Sequence, residues 1–238
     1  MPPAPFHRPV RFDPHKFQHY PGAQGAQDLA LAAQASARAI LARGRATEDP
    51  SVTKRLVHFT DEFGLQTLTD LWAQAPAVST AGALWRIYAL RAVIRKDPQL
   101  ISLYYQRGLG SNYAAQVLAG VADPPSAQEI CDTVDQILAG AYRGDFDLAL
   151  DRFAAFSRVL ALGQEETALG IRTGQQPLDW DPTGQANRRA SSCPLASAEV
   201  QQEARGRARR LRTLSQRLVA TAQDLEAAAR KWRAGQLD

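Results

Sequence analysis

The chain has 238 residues, 45% of them hydrophobic and 22% charged, with a formal net charge of +4. That length holds one sizeable core, or a core with a tail module, and the composition excludes a disordered or fibrous chain. No apolar run reaches the roughly 18 residues of a membrane span, and MPPAPFHRPVRFDP lacks the apolar region of a secretory signal, so the expected location is cytoplasmic.

The charge is uneven. Residues 1–187 hold 17 basic and 19 acidic side chains, whereas 188–238 hold 11 and 5. The basic balance therefore belongs to the C-terminal fifth. It suits an interaction tail for nucleic acid or an acidic partner, or a solvated charged helix. Cys131 and Cys193 lie far apart with no CxxC and read as free thiols of a reducing compartment.

Residues 1–24 carry prolines at 2, 3, 5, 9, 14 and 21, too many for a long regular helix, together with Phe6, Phe12, Phe17 and Tyr20. The expectation is an extended aromatic arm that packs at least Phe12 and Phe17 on the domain. His7, His15 and His19 fall in this arm. His15 and His19 have the i, i+4 spacing that can share zinc on a helix, but Pro14 and Pro21 flank them and no third ligand is evident. A surface or stacking role is expected instead.

Residues 25–163 read as one helical domain. AQDLALAAQASARAILARG (26–44) is alanine-rich and ends at Gly44. In DPSVTKRLVHFTDEFG, Asp49 is the expected N-cap, Pro50 the first helical residue and Gly64 the stop. TLTDLWAQA (67–75) stops before Pro76. Ser79 or Thr80 caps a helix that runs to about Lys96. DPQLISLYYQRG repeats the Asp-Pro start and glycine end, and SNYAAQVLAG is a further short helix. Ser126 and Glu129 have capping-box spacing, with Ile130, Val134, Ile137 and Leu138 on one face behind them. DFDLALDRFAAFSRVLALG follows the Gly144 break. No pair of period-2 strands flanks a hairpin turn. The fold class is therefore all-α, a multi-helix bundle of orthogonal or helical-hairpin, repeat-like character.

Residues 164–195 are polar and rich in Gly, Pro, Ser and Asn, and read as a linker or mobile loop in which Trp180 anchors the segment to the domain or, as the alternative, to a partner. Residues 196–235 read as one long amphipathic helix. Leu211, Leu218, Leu225 and Trp232 continue a seven-residue spacing from Ala204, with Val200, Leu214 and Ala228 as a second row broken by Arg207 and Thr221. This stripe either packs back on the bundle or meets a partner helix, including one from a second copy. Arg205, Arg209 and Arg212 lie opposite, and with Arg188 and Arg189 they form the candidate contact for nucleic acid or an acidic partner. No aromatic side chain that could stack on a base interrupts them.

LWRIYALRAVIRK (84–96) places arginines in an apolar stretch. On a wheel Arg91 and Arg95 flank Tyr88, whereas Arg86 lies on the far side and is expected to reach solvent. Arg91, Arg95 and Tyr88 are thus the candidate buried ion-pair or anion site, with Asp132, Asp135, Asp147 and Asp151 as the expected carboxylates. Asp145, Asp147 and Asp151 do not suggest a metal site, because on a helix Asp145 and Asp147 point about 200° apart. His58 has Asp61 three residues on, in the geometry of a helix-surface pair. The sequence lacks GxSxG, a GxGxxG after a strand, GxxxxGK[ST] and HExxH, so no catalytic residue, cofactor or metal is expected.

AGAYRGDFDLALDRFAAFSRVLALG resembles one tetratricopeptide-type helix pair, without a second copy at that repeat's 34-residue spacing. More broadly, DLWAQAPAVSTAGALWRIYALRAVIRKDPQLISLYYQRG (70–108), GAYRGDFDLALDRFAAFSRVLALG (140–163) and DLEAAARKWRAGQL (224–237) resemble an uncharacterised actinobacterial helical protein family. Its members sometimes carry an automatic name borrowed from the RNA polymerase beta subunit. The resemblance implies a helical fold and offers no catalytic residues. A helical chain of 238 residues is too small to be that catalytic subunit. The expected function is a non-catalytic adaptor or regulator that binds a protein partner. The alternatives are a nucleic-acid- or transcription-associated factor using the basic helix, and an enzyme with an Arg-lined core site.

Overall fold

The computed structural model of the chain describes residues 21–47, 49–109, 126–173 and 198–237. The expectations for the N-terminal arm before Pro21, SNYAAQVLAG, Trp180, Arg188, Arg189 and Cys193 lie outside the described residues. Within them are nine helices and no strand. They are α1 (Pro21–Arg45), α2 (Pro50–Val57), α3 (Phe59–Phe63), α4 (Leu65–Trp72), α5 (Thr80–Lys96), α6 (Pro98–Leu109), α7 (Ala127–Arg143), α8 (Phe146–Thr173) and α9 (Ala198–Arg233). The fold is an all-α bundle with a long C-terminal amphipathic helix. No described helix is long and apolar enough to cross a membrane.

Local chemistry starts several of these helices. Asp49 accepts from the Ser51 amide at 2.8 Å with Pro50 at the first helical position of α2. Ser79 accepts from the Gly82 amide at 3.1 Å to open α5. At α7, Ser126 accepts from the Glu129 amide while Glu129 reaches back to the Ser126 amide at 2.7 Å, a complete capping box. One helix was expected between Asp49 and Gly64, but the chain turns at His58 (φ −91°, ψ 9°) and α3 sets off anew. That elbow matters for the candidate site.

The core is built around α8. Phe146, Phe153 and Phe156 are fully buried, and Ala154, Ser157, Ala161, Gln164, Thr167 and Ala168 are buried as well. A helix buried on most of its faces must be covered on several sides. Here α6, α7 and α9 all pack on it. Tyr105 of α6 stacks on Phe156 with ring centroids 4.9 Å apart.

Two glycines expected to end helices lie inside them, and both mark close approaches. α1 runs through Gly44 to Arg45, and a Cβ on Gly44 would stand 2.9 Å from the Tyr142 Cβ. α8 runs through Gly163 to Thr173, so the stretch assigned to a linker from residue 164 is helical in its first part. At Gly163 the helix crosses α6. A Cβ there would lie 1.7 Å from the Tyr104 carbonyl oxygen, and one on Gly108 would lie 1.9 Å from that of Val159. The two backbones touch, and glycine is what permits it.

α9 returns along α8. Arg233 pairs with Asp147 and Asp151, Arg158 with Glu226, and Arg212 with Glu165. Numbers rise on one helix as they fall on the other, so the pair is antiparallel. Leu211 and Leu225 are buried, and Leu218 and Trp232 pack against the core. The stripe offered to a partner helix is thus used within the chain. Of its second row Ala228 is buried, but Val200 and Leu214 are exposed. The row that packs is Ala208, Ser215, Ala222 and Ala229, all at most 3% exposed. Small side chains let α9 settle close to α8, which the larger residues would prevent.

The glycine crossing yields a contrast of sign. Gly163→Ala should lower stability by about 3 kcal/mol, because backbone rather than a flexible side chain blocks the added methyl. Gly140→Ala, in the last turn of α7 with nothing within 4 Å of its Cβ, should raise stability by about 0.5 kcal/mol. Urea unfolding followed by circular dichroism measures both.

Candidate functional site

α5 carries Arg91 into the bundle, where its side chain is fully buried. A buried guanidinium must find acceptors for its five N–H groups. Nε donates to Asp135 Oδ1 at 2.7 Å. Nη1 donates to Asp61 Oδ1 at 2.8 Å and to Thr60 Oγ1 at 3.3 Å. Nη2 donates to Asp61 Oδ2 at 2.9 Å and lies 3.2 Å from His58 Nδ1 and 3.4 Å from Asp135 Oδ2. Asp61 receives the bidentate fork and Asp135 closes the opposite side.

The partners come from three places. His58 is the α2–α3 elbow, Thr60 and Asp61 stand on α3, and Asp135 stands on α7. One α5 side chain therefore ties the elbow and α7 together. Arg95, one turn on and partly exposed, donates to Asp135 Oδ2 at 3.0 Å and lies 3.8 Å from Asp61 Oδ2. His58 Nδ1 is 2.8 Å from Asp61 Oδ2. Because that oxygen only accepts, the geometry places the proton on Nδ1.

Of the carboxylates expected beside Arg91, only Asp135 is there. Asp132 accepts instead from Gln128, and Asp147 and Asp151 hold Arg233. Asp61 was not among them, although its three-residue spacing from His58 was the signal that could have led to it. Arg86 is not free at the edge. It donates to Asp224 of α9 at 3.2 Å and to the Gly82 carbonyl at 3.0 Å. Tyr88 belongs to a neighbouring pair rather than to the ion cluster. It donates to the Leu56 carbonyl at 2.5 Å, and its oxygen accepts from Tyr142, also at 2.5 Å. Burial pushes the Tyr88 phenol up to about 12, so it remains a neutral donor.

The electrostatics follow from these contacts. The Arg91 hydrogen bonds hold the Asp61 carboxyl well below the usual carboxylate range. Burial alone would pull Arg91 down, but its hydrogen bonds to Asp61 and Asp135 carry it above its ordinary value. Two arginines meet two aspartates, and the N–H groups of Arg91 are spent on protein acceptors. The cluster is a closed ion-pair network with no donor left on Arg91 for an anion. An open groove of about 340 Å³ beside it is lined by Lys54, His58, Asp132, Asp135 and Arg143, among others. Its charges are mixed, and among the described residues no group of three or more His, Cys, Asp and Glu side chains could hold a metal.

α9 presents the other candidate. Between Glu203 and Asp224 it carries arginines at 205, 207, 209, 210, 212 and 217 and no carboxylate. Arg212 lies 3.5 Å from Glu165 of α8. Arg207 is half-buried and close enough to Tyr104 to act on its phenol. Arg205, Arg209, Arg210 and Arg217 are exposed. No carboxylate of the described residues pairs with any of these four. The helical wheel puts Arg205, Arg209 and Arg212 on one face, and Arg210 and Arg217 fall outside that set. The seating of α9 on α8 leaves both of those exposed.

A scan against protein-family models, a search of curated proteins and a search of solved structures each return no match for the chain. The geometry therefore carries the functional argument.

The network predicts both a size and a pH dependence. Arg91→Ala should cost about 3–4 kcal/mol by stranding two carboxylates, whereas Arg95→Ala, exposed at 37%, should cost less than about 1 kcal/mol. Asp61 has a depressed folded pKa, so its contribution is complete above the unfolded value near 4 and is lost as pH falls below it. Asp61→Asn should flatten that acid limb of the Tm-against-pH curve and leave the limb above about pH 6 parallel to wild type.

Proposed function

We propose that the protein is a non-catalytic helical interaction protein, and that its binding surface is the arginine-rich solvent face of α9. The partner is an acidic macromolecular surface. One observation carries the reading: a helical span from 204 to 223 without a carboxylate, in which four arginines are exposed and unpaired among the described residues. The fold gains nothing from this arrangement. Arg205 and Arg209 repel one another at i, i+4, and Arg209 and Arg212 at i, i+3. Elsewhere some arginines meet carboxylates, as at Arg158–Glu226 and Arg233–Asp147, and others such as Arg43, Arg143 and Arg172 are exposed without one among the described residues, so what sets α9 apart is the concentration of four on one carboxylate-free span.

The alternatives have less support. The leucine stripe on α9 is engaged by α8, so an adaptor role through a partner coiled coil would have to break the core. The Arg91 cluster is satisfied by its own carboxylates, which leaves an enzyme reading without a vacant cation.

Charge reversal tests the surface. Arg205→Glu, Arg209→Glu, Arg210→Glu and Arg217→Glu together should abolish retention on a heparin column at about 0.15 M salt. Reversing Arg43, Lys54, Arg55 and Lys96, all exposed and away from α9, changes net charge equally and should leave most retention. Equal losses would mean that retention reflects bulk charge and would sink the reading.

A further inference from the structure

We infer that the acidic surface is the sugar–phosphate backbone of B-form duplex DNA, and that the stretch of α9 from Arg205 to Arg217 lies in its major groove. This rests on the binding surface proposed above.

The arginines are distributed around the helix in two rows. At 100° per residue, Arg205, Arg209 and Arg212 lie along one edge of the outward face and Arg210 and Arg217 along the other, roughly 120° apart. Between the edges the outward line carries Gly206, Thr213, Gln216 and Ala220. A Cβ on Gly206 would approach only the flexible end of Arg210. The surface is thus two cationic rows with a low, small-residue line between them. A helix is about 10–12 Å across, and the B-DNA major groove is about 12 Å wide with a phosphate strand on each side. Two rows on one helix match two phosphate strands. The arginines from 205 to 217 cover about 18 Å of axis, long enough to meet several phosphates.

The same surface lacks the features that other acidic partners need. A protein interface needs a buried apolar or aromatic centre, and the outward line has none. Leu214 is the single large apolar side chain nearby, 46% exposed between Arg210 and Arg217. Single strands are gripped by base stacking on aromatics, and none occurs between Val200 and Leu225. The major groove of duplex RNA is too narrow and deep to be entered by a helix. All the cations in this span are arginines, whose planar forks suit phosphate oxygens better than lysine does.

The experiment is fluorescence anisotropy of the full chain with a labelled duplex DNA of mixed sequence, an RNA duplex and a DNA single strand of matching sequence, and poly-glutamate. The duplex DNA should bind at least about tenfold more tightly than the other three, with a log–log salt slope near −3.6 for four contacts. Arg205→Ala with Arg209→Ala, and separately Arg210→Ala with Arg217→Ala, should each reduce that slope by about 1.8. Lysine at the same four positions should keep the slope and weaken binding. An unchanged urea midpoint confirms that each variant is folded. Loss confined to one row overturns the groove geometry. Equal binding of single strand, RNA duplex or poly-glutamate overturns the DNA assignment and leaves the acidic-partner reading standing. Binding of none of the four overturns both.

Discussion

The Arg91 guanidinium is the constraint from which much of the bundle follows. A charge with no exposure to water is tolerated only where carboxylates and neutral acceptors surround it, and they must arrive from elements far apart in sequence. Asp61 and Asp135 do so from α3 and α7. The consequence is geometric. The α2–α3 elbow cannot straighten into the single helix its sequence favours without withdrawing Asp61 and Thr60 from α5. The break at His58 is therefore tied to the buried charge. Tyr88, one turn earlier on α5, uses the same strategy with neutral groups, linking the end of α2 to α7 through Leu56 and Tyr142. Polar contacts thus set the relative placement of α2, α3, α5 and α7, while burial of apolar surface supplies the greater part of the driving force.

On the other side of the molecule placement is set by absence of side chain. At the α6–α8 crossing, Gly108 and Gly163 bring carbonyls to where methyl groups would stand. Along α8 and α9 the alanines and Ser215 do a milder version of the same thing. Close approach multiplies dispersion contacts along the whole seam, and each is small but the sum is not. Trp232 ends the seam, edge-on to Phe146 at 4.8 Å and under the Arg45 guanidinium at 4.8 Å. α1 and α9 are thereby joined.

These two kinds of constraint explain what could be read from sequence. Caps were legible because donor and acceptor lie within three residues, as at Asp49, Ser79 and Ser126. The all-α class was legible because helical periodicity and glycine or proline punctuation are local. Glycine itself was ambiguous. At Gly44 and Gly163 it reads as a helix end, and only the neighbouring helix shows that it is a contact. The α9 seam was half legible: the row of Leu211, Leu218 and Leu225 declares itself by size, but a row of alanines and a serine does not. For the ion cluster, the residue in need of partners was identifiable from its apolar neighbours. Which carboxylates would answer was not, since Asp61, Asp132, Asp135, Asp147 and Asp151 are chemically equivalent until the helices are placed.

α9 shows how differently the two ends of one helix can be treated. At its C-terminus Arg230, Lys231 and Arg233 meet the negative end of the macrodipole, and Arg233 is held by Asp147 and Asp151. Between Arg205 and Arg217 the arginines meet one another instead. Each such conflict costs only a few tenths of a kcal/mol, about 0.3–0.5 by the measure of helix ion pairs. Several together still oppose a helix that the seam must hold in place. Exchanging one arginine for glutamate would remove the conflict and form a favourable i, i+4 pair, so the fold does not require the charge. That cost, small and easily shed, is concentrated on the face that packing leaves bare, and it is on this face that the proposed acidic partner would supply the missing anions.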